Sequence, residues 1–167
     1  PPAVTEALIE RARHPVYGYT LYPDSLFEAV IDWMQRRHDW TVEREWIVMC
    51  PGVVPSLNAT VMALTKPGES TIIQPPVYFP FFSAVEAHGR KLIYNQLKET
   101  LEGWVMDLDS LEGAITASTR MIIISNPHNP VGRVFRRDEL IKMAEICLKP
   151  NIIICSDEIH SDLVFSG

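Results

Sequence analysis

The most reactive group of side chains in the sequence follows an apolar run near residue 155. The segment 156–162 contains three carboxylates and one histidine, directly after the run 151–155. A carboxylate such as Asp157 at the end of a buried strand is costly to bury unless a cation faces it. His160 lies an odd number of positions further on, so a continuing strand would place the two side chains on opposite faces. We therefore expect the chain to turn after Asp157 if both serve one site.

A second segment that indicates binding is Ser-Asn-Pro-His-Asn-Pro-Val-Gly at 125–132, which follows another apolar run. It contains two Asn-Pro steps, at Asn126 and Asn129. Each proline drives the asparagine before it towards an extended conformation, so we expect a stiff, non-helical loop. A plain turn would seldom need both asparagines, and their side-chain amides can donate hydrogen bonds to a ligand.

A metal site is the competing interpretation of these residues. Asp157, Glu158, His160 and Asp162 are all potential ligands. No cysteine or second histidine lies at metal-site spacing among them, and His128 would have to come from another strand. We treat a metal site as the minor alternative and predict no bound metal.

Two further segments could contact a ligand. Pro-Gly-Val-Val-Pro at 51–55 is a glycine turn that opens a helix, and the free amides there could hold a phosphate. An ordinary strand–helix turn would have the same sequence. Tyr78 lies in a proline-rich, aromatic segment, where a rigid ring could stack on a planar ligand or simply pack in the core. The glycine fingerprints of dinucleotide-binding and P-loop proteins are absent from the sequence.

Alternating strands and helices must position these segments. The sequence predicts helices at 3–13 and after Pro23, the second with Asp24 or Ser25 as its N-cap. Isoleucine triplets at 122–124 and 152–154 are typical of strands covered on both faces. Five β-rich runs alternate with four helical segments, which predicts an α/β fold with a mostly parallel sheet and flanking helices. The runs are 46–50, 71–74, 91–96, 121–125 and 151–155, and the helices are 55–64, 79–88, 109–117 and 138–148.

Composition excludes several classes of protein. The chain has 167 residues, 47% of them hydrophobic, and a net charge of −6. This excludes a disordered chain and disfavours a nucleic-acid partner, which would need a basic surface. No apolar run approaches the roughly 18–20 residues that span a bilayer. The cysteines at 50, 147 and 155 are odd in number and lie in apolar stretches. They favour reduced, buried thiols in a cytoplasmic protein.

Taken together, the motifs resemble the large domain of fold-type-I pyridoxal-phosphate enzymes. In chain order they are Tyr-Gly-Tyr-Thr at 17–20, the turn at 51–55, Pro-Val-Tyr at 76–78, the Asn-Pro loop at 125–132 and Ser-Asp-Glu-Ile-His at 156–160. Within that superfamily the chain is most similar to the cystathionine β-lyase (C–S lyase) branch of the class I/II aminotransferase-like proteins. The likeness covers essentially the whole chain.

The resemblance implies a role for each segment in binding pyridoxal 5'-phosphate. Asp157 would pair with the protonated pyridine nitrogen, which supplies the cation that a buried carboxylate needs. Asn129 would donate to the phenolic oxygen of the ring, and His160 would lie near the same edge or behind the ring. Tyr78 would stack on the pyridine face and is the candidate catalytic residue of this chain. Backbone amides of the turn at Gly52, Val53 and Val54 would hold the phosphate.

The resemblance also implies an assembly and a reaction. Tyr19 resembles a tyrosine that reaches the cofactor phosphate of a neighbouring subunit, which implies a homodimer, although a packed loop aromatic would look the same. The implied substrate is a small molecule, an amino acid. A C–S lyase would cleave cystathionine or related β-thio amino acids to pyruvate, ammonia and a thiol. The alternatives are an aminotransferase and, in another class, a regulatory binding protein of the same fold.

The sequence departs from the family in what it lacks. The family's Schiff-base lysine lies on a later Ser-x-Lys-like segment, and none of the lysines here lies in such a motif. We therefore expect residues 1–167 to be inactive alone and to belong to a longer enzyme. The expected organisation is N-terminal helices and an aromatic loop at 1–45, a partial cofactor-binding domain at 46–167, and a small C-terminal domain outside this sequence.

Overall fold

Residues 1–49 form helices and loops, without a strand. In the computed structural model, which describes residues 1–101 and 103–165, the chain divides into a first unit, residues 1–49, and a second unit, residues 50–167. The first unit contains α1 (Pro2–Arg13), α2 (Asp24–His38) and a 3-10 turn at Arg44–Trp46. Within it, the Arg44 guanidinium pairs with Asp24 at 2.8 Å. No helix among the described residues is long and apolar enough to cross a membrane.

The start of α2 differs from the prediction. Pro23 is the N-cap, and neither Asp24 nor Ser25 caps the helix. Pro23 is held in an extended conformation, and its carbonyl accepts the amide of Leu26 at 3.0 Å. Asp24 instead occupies the first helical turn, where its negative charge interacts favourably with the helix dipole.

The strand predicted at 46–50 is wrong. Trp46 ends the 3-10 turn, and the residues after it form no strand. Trp46 and Val48 are largely exposed. β-branched and aromatic residues form a strand only where they can pair with a neighbouring strand and pack against a core. The prediction failed because it rested on composition alone.

The second unit carries the predicted alternation of strands and helices. Its helices flank a four-stranded sheet and a separate hairpin. In chain order the elements are α3 (Val53–Leu64), β1 (Ser70–Ile73), α4 (Pro80–Glu86), β2 (Lys91–Tyr94), β3 (Lys98–Thr100), β4 (Gly103–Val105), α5 (Leu108–Ala114), β5 (Thr119–Ser125), α6 (Arg137–Leu148) and β6 (Ile153–Asp157).

The sheet is parallel, with strand order β2-β1-β5-β6. From β1 the chain runs outward to β2 and then returns to the other side for β5 and β6. The order therefore reverses between β1 and β5, and a crevice opens at their carboxyl ends. In open α/β sheets this is where ligands bind. The α/β class and the mostly parallel sheet predicted from the sequence are confirmed.

Strand alternation divides the core between the two faces of the sheet. Ile122 and Ile124 pack on one face with residues of α5 and α6, such as Leu111 and Met143. Met121 and Ile123 pack on the other face with residues of α3 and α4. Because both faces are covered, the run from 121 to 124 is buried and apolar throughout.

The hairpin of β3 and β4 was not predicted. Each strand has three residues, and the pairing Lys98↔Val105 to Thr100↔Gly103 is antiparallel. Such short strands carry no readable alternation. Gly103 adopts a positive φ of 108°, a conformation that favours glycine.

Candidate functional site

A cavity of about 290 Å³ lies at the carboxyl ends of the strands in the second unit. Its volume is just below the roughly 300–1,000 Å³ typical of small-molecule sites. The cavity collects residues from four separate segments of the chain. They are Val53, Val54, Tyr78, Ser125, Asn129, Asp157, Ile159 and His160.

The first segment is the N-terminus of α3. Gly52 is the N-cap, and its carbonyl accepts hydrogen bonds from the amide of Ser56 at 3.0 Å and from the Ser56 hydroxyl at 2.8 Å. The amides of Val53 and Val54 belong to the first helical turn, whose N–H groups have no partner within the helix. Both residues line the cavity. This helix end can therefore receive an anion.

The second segment presents Tyr78 after β1. The ring is half-buried and packs at centroid distances of 5.3 Å from Phe79 and 6.4 Å from Phe81. The backbone amide of Tyr78 donates to the carbonyl oxygen of Asn129 at 3.0 Å. These contacts fix a flat aromatic surface at the cavity wall.

The third segment is the Asn-Pro loop after β5. The amide of Asn129 donates to the Ser125 hydroxyl at 3.2 Å. The side chain of Asn126 accepts the amide of Phe135 at 3.0 Å, and the amide of Asn126 donates to the carbonyl of Asp157 at 3.0 Å. Asn126 is therefore used to hold the loop, while the side chain of Asn129 makes no hydrogen bond within the described residues and lines the cavity.

The fourth segment is the turn after β6. Asp157 pairs in register with Ser125 of β5 and ends the strand. One oxygen of Asp157 accepts the amide of Ile159 at 3.2 Å, and a 3-10 turn follows at Ser161–Leu163. The chain thus turns after Asp157 as expected, and Asp157 and His160 line the same cavity.

His128 lies apart from this group. Its side chain is 2% exposed, packs edge-to-face on Phe135 at 5.6 Å, and does not line the 290 Å³ cavity. Burial lowers the pKa of His128, and a weaker interaction with the backbone of Gln74 opposes that shift. Among the described residues, no group of three or more His, Cys, Asp or Glu side chains is placed to hold a metal ion.

The cysteines differ from one another. Cys147 is buried and Cys155 is partly buried, whereas Cys50 is exposed, contrary to the expectation that all three are buried. Burial raises the pKa of the Cys147 thiol to about 11. Burial, and then repulsion by the Asp157 carboxylate, raise the pKa of Cys155 to about 11. Cys155 therefore lies close enough to the site for the Asp157 carboxylate to affect its thiol.

Of the residues predicted for the site, Tyr19 belongs to the first unit, where its side chain is fully exposed. Its role at a neighbouring subunit stays a prediction. The cofactor roles of the residues around the cavity also stay predictions. Within the described part of the chain, no lysine lines the cavity. The five lysines are Lys66, Lys91, Lys98, Lys142 and Lys149.

The sequence did not single out Ser125 and Ile159, which also line the cavity. Ser125 ends a buried strand directly before the first Asn-Pro step, and that position was the available signal. Ile159 lines the cavity because its amide closes the turn on Asp157. Nothing in the sequence around Ile159, an apolar residue between Glu158 and His160, indicated that it lines the cavity.

Comparisons with known proteins agree on one family. The model of the family "Aminotransferase class I and II" matches residues 1–167. Cystathionine beta-lyase PatB of Bacillus subtilis is 44% identical over 100% of this chain and 43% of its own length. The aspartate aminotransferase of Sulfolobus acidocaldarius is 30% identical over 90% of this chain and 39% of its own length. The chain therefore spans less than half the length of these curated relatives.

A solved structure extends the likeness to three dimensions. Cystalysin from Treponema denticola, a structure that contains pyridoxal 5'-phosphate, has a TM-score of 0.91 and 39% identity. The likeness covers 100% of this chain and 43% of cystalysin. The sheet and its flanking helices are therefore similar to the corresponding part of a pyridoxal-phosphate protein.

Proposed function

Because this chain belongs to the aminotransferase class I and II family, we propose that the whole protein is a pyridoxal-phosphate-dependent C–S β-lyase. Its substrates would be cystathionine or related β-thio amino acids. The Cβ–S bond is cleaved and one water is taken up, which gives a thiol, pyruvate and ammonia. The observation that carries the proposal is the convergence of Asp157, Asn129, Tyr78 and the N-terminus of α3 on one cavity.

The donor set of the cavity fits this cofactor. Pyridoxal phosphate has an anionic phosphate, a flat ring, a phenolic oxygen and a basic ring nitrogen. The α3 amides complement the phosphate, and the half-buried ring of Tyr78 complements the flat ring. The free side-chain amide of Asn129 can donate to the phenolic oxygen. One oxygen of the Asp157 carboxylate has no partner among the described residues. That oxygen can accept a hydrogen bond from the protonated ring nitrogen.

The residues of the chain then have distinct tasks. Pyridoxal phosphate, when bound, supplies an electron-withdrawing ring that stabilises negative charge at the α-carbon of an amino acid. Asp157 holds a proton at the ring nitrogen, which keeps the ring strongly electron-withdrawing. Asn129 would hold the phenolic oxygen of the ring through its side-chain amide. Tyr78 covers one face, excludes water from it and sets the orientation of the ring. His160 lines the same cavity as Asp157.

The relatives support a lyase and leave one enzyme alternative. PatB, at 44% identity, is named a cystathionine beta-lyase. The Sulfolobus relative, at 30% identity, is named an aspartate aminotransferase. An aminotransferase would use the same cavity, so this part of the chain fits both reactions. The higher identity to the lyase favours the lyase.

The proposal includes two features outside the cavity. The lysine that binds the cofactor covalently is not among residues 1–167, so these residues alone would not turn over substrate. The lack of any cavity-lining lysine in the described part of the chain supports this. The whole protein would act as a homodimer, in which Tyr19 contacts the cofactor phosphate of the other subunit. The full exposure of Tyr19 is consistent with that contact.

The full-length protein with added pyridoxal phosphate tests the proposal. Incubation with cystathionine should release pyruvate and a free thiol in equal amounts when no keto-acid acceptor is added. Cystathionine turnover that requires a keto acid and yields a new amino acid would replace the lyase by the aminotransferase. Borohydride treatment followed by peptide mapping should place the cofactor on a lysine after residue 167. A labelled lysine within residues 1–167 would overturn that part of the proposal.

A further inference from the structure

Arg133 lies just beyond the loop that carries Asn129, and it does not line the 290 Å³ cavity. Its side chain is 18% exposed and has two partners from different elements. One nitrogen of the guanidinium donates to the carbonyl of Trp104 in β4. Another nitrogen pairs with the carboxylate of Glu139 in the first turn of α6, whose side chain is 10% exposed. Arg133 therefore joins β4 to α6.

The backbone of Arg133 closes the turn that presents Asn129. The amide of His128 donates to the carbonyl of Arg133 at 2.7 Å, and the amide of Gly132 donates back to the carbonyl of His128 at 2.8 Å. Asn129 lies inside this closed turn. Its own carbonyl accepts the amide of Tyr78 at 3.0 Å, so the turn also positions the residue predicted to stack on the ring.

Glu139 connects the same turn to the start of α6. Its carboxylate accepts the amide of Arg136 at 2.9 Å in addition to the guanidinium of Arg133. Phe135, two residues after Arg133, is tied to Asn126 through its amide at 3.0 Å. The guanidinium carbon of Arg133 also lies 5.2 Å from the centre of the Phe135 ring. The segment after Asn129 is thus held at both its backbone and its side chains.

We propose that Arg133 is a positioning residue for Asn129. By linking the Asn-Pro turn to β4 and α6, it fixes the positions of Asn129 and Tyr78 at the cofactor cavity. This inference rests on the proposed cofactor role of the cavity. An arginine suits the position because its planar fork can serve two acceptors in different directions. A lysine would keep the charge but would serve the carbonyl of Trp104 and the carboxylate of Glu139 less well.

Two measurements on the full-length protein test the proposal, with R133M as the main variant. The first is amide hydrogen exchange at Tyr78 without added cofactor, which reports the contact to Asn129 directly. The second is the dissociation constant of pyridoxal phosphate, measured by equilibrium dialysis. R120M is the matched control, because Arg120 lies on β5 at the opposite end of the sheet and pairs with Glu69 at 3.1 Å. It removes the same charge at a site away from the Asn-Pro loop.

R133M should speed exchange at Tyr78 by roughly tenfold, since exchange follows local opening. It should weaken pyridoxal phosphate binding by roughly tenfold, the order expected when an outer partner of a binding residue is removed. R133K should resemble R133M more than the wild type, and R120M should change neither quantity. A folded R133M protein with wild-type exchange at Tyr78 and wild-type cofactor affinity would overturn the proposal. So would an equal effect of R120M.

A second variant covers the case in which R133M does not fold. E139Q keeps the shape of the side chain and an acceptor for the Arg136 amide, but it weakens the pairing with Arg133. It should give smaller changes in the same direction, and wild-type behaviour of E139Q would then count against the proposal. If the wild-type protein does not bind pyridoxal phosphate at all, the proposed function fails. The exchange rate at Tyr78 still decides whether Arg133 orders the turn.

Discussion

The backbone amide of Tyr78 donates to the carbonyl oxygen of Asn129 over 3.0 Å, and this bond joins the loops that follow β1 and β5. The two strands are neighbours in the sheet, although the two residues lie far apart in the sequence. A second bond, from the amide of Asn126 to the carbonyl of Asp157, joins the loops after β5 and β6. These main-chain hydrogen bonds thus position Tyr78, Asn129 and Asp157 and use none of the polar atoms of their side chains.

The first prediction concerns the carboxylate at the end of β6. D157N in the full-length protein should weaken pyridoxal phosphate binding by about 10- to 100-fold, because a hydrogen bond to a charged group contributes about 1.5–3 kcal/mol. Equilibrium dialysis measures the affinity. E158Q is the control, since Glu158 is exposed and, among the described contacts, its carboxylate accepts a hydrogen bond only from the Ser156 hydroxyl, at 2.8 Å. Equal affinities for D157N and the wild type would remove Asp157 from the site.

The second prediction concerns the ring of Tyr78. Y78F should bind pyridoxal phosphate nearly as well as the wild type, because stacking needs the ring and not the hydroxyl. Y78A should lose about three- to tenfold in affinity, which corresponds to the 0.5–1.5 kcal/mol typical of an aromatic pair. F79A removes a neighbouring ring that is 75% exposed and should weaken binding less than Y78A does. A Y78A protein that binds as tightly as Y78F would refute the stacking role.

The third prediction concerns the helix end at α3. V53P should remove one amide donor while preserving the helix, because proline is well tolerated at the first helical position. Affinity for pyridoxal phosphate should fall by about tenfold, as expected for a lost bond to a charged group. Affinity for pyridoxal, which lacks the phosphate, should not change. V53A keeps the amide and should bind both as the wild type does; equal losses for both compounds in V53P would contradict a phosphate role.

The fourth prediction concerns the thiol of Cys155. Burial and the charge of Asp157 raise the pKa of Cys155 to about 11, from an ordinary value of 9.0. The folded protein therefore keeps the proton on this thiol between pH 9 and pH 11, where an unfolded chain would lose it. The contribution to stability is complete below pH 9 and is lost as the pH rises towards 11. Alkylation of Cys155, followed by mass spectrometry, should stay slow through pH 9 and accelerate towards pH 11.

A variant separates the two causes of that shift. D157N removes the charge but leaves the burial, so alkylation of Cys155 should begin at a somewhat lower pH than in the wild type. It should still begin above the pH at which an unfolded control reacts. E158Q should leave the profile unchanged. Rapid alkylation of Cys155 at pH 8 in the folded protein would show that the thiol is not buried.

The sequence was most informative at the continuous apolar runs and at the proline-containing segments that follow strands. The apolar triplets predicted both β5 and β6 as strands. β5 is covered on both faces as expected, whereas β6 is at the end of the described sheet and its Ile153 is 37% exposed. The segments at the ends of those strands then predicted which side chains would meet at one edge of the sheet. With the family resemblance, the same reasoning predicted Tyr78, Asn129 and Asp157 for the site, and their cofactor roles stay predictions. Gly52 was placed after a predicted strand that does not form.

Other features depend on contacts between distant parts of the chain. The residues at 46–50 have strand-like composition but no strand to pair with. The three-residue strands of the hairpin are defined by their pairing and not by their own sequence. Arg133 and Glu139 are ordinary charged residues in the sequence. Only the folded chain shows that both are largely buried and that they link the Asn-Pro turn to α6.

The most direct test of the whole account is a crystal structure of the full-length protein with pyridoxal phosphate added. We expect the cofactor in the cavity between α3, Tyr78, Asn129 and Asp157. The ring nitrogen should lie about 3 Å from the Asp157 carboxylate, the distance of a hydrogen bond to a charged group. The phosphate should lie on the amides of Val53 and Val54. A cofactor bound elsewhere, or one whose ring nitrogen faces away from Asp157, would contradict it.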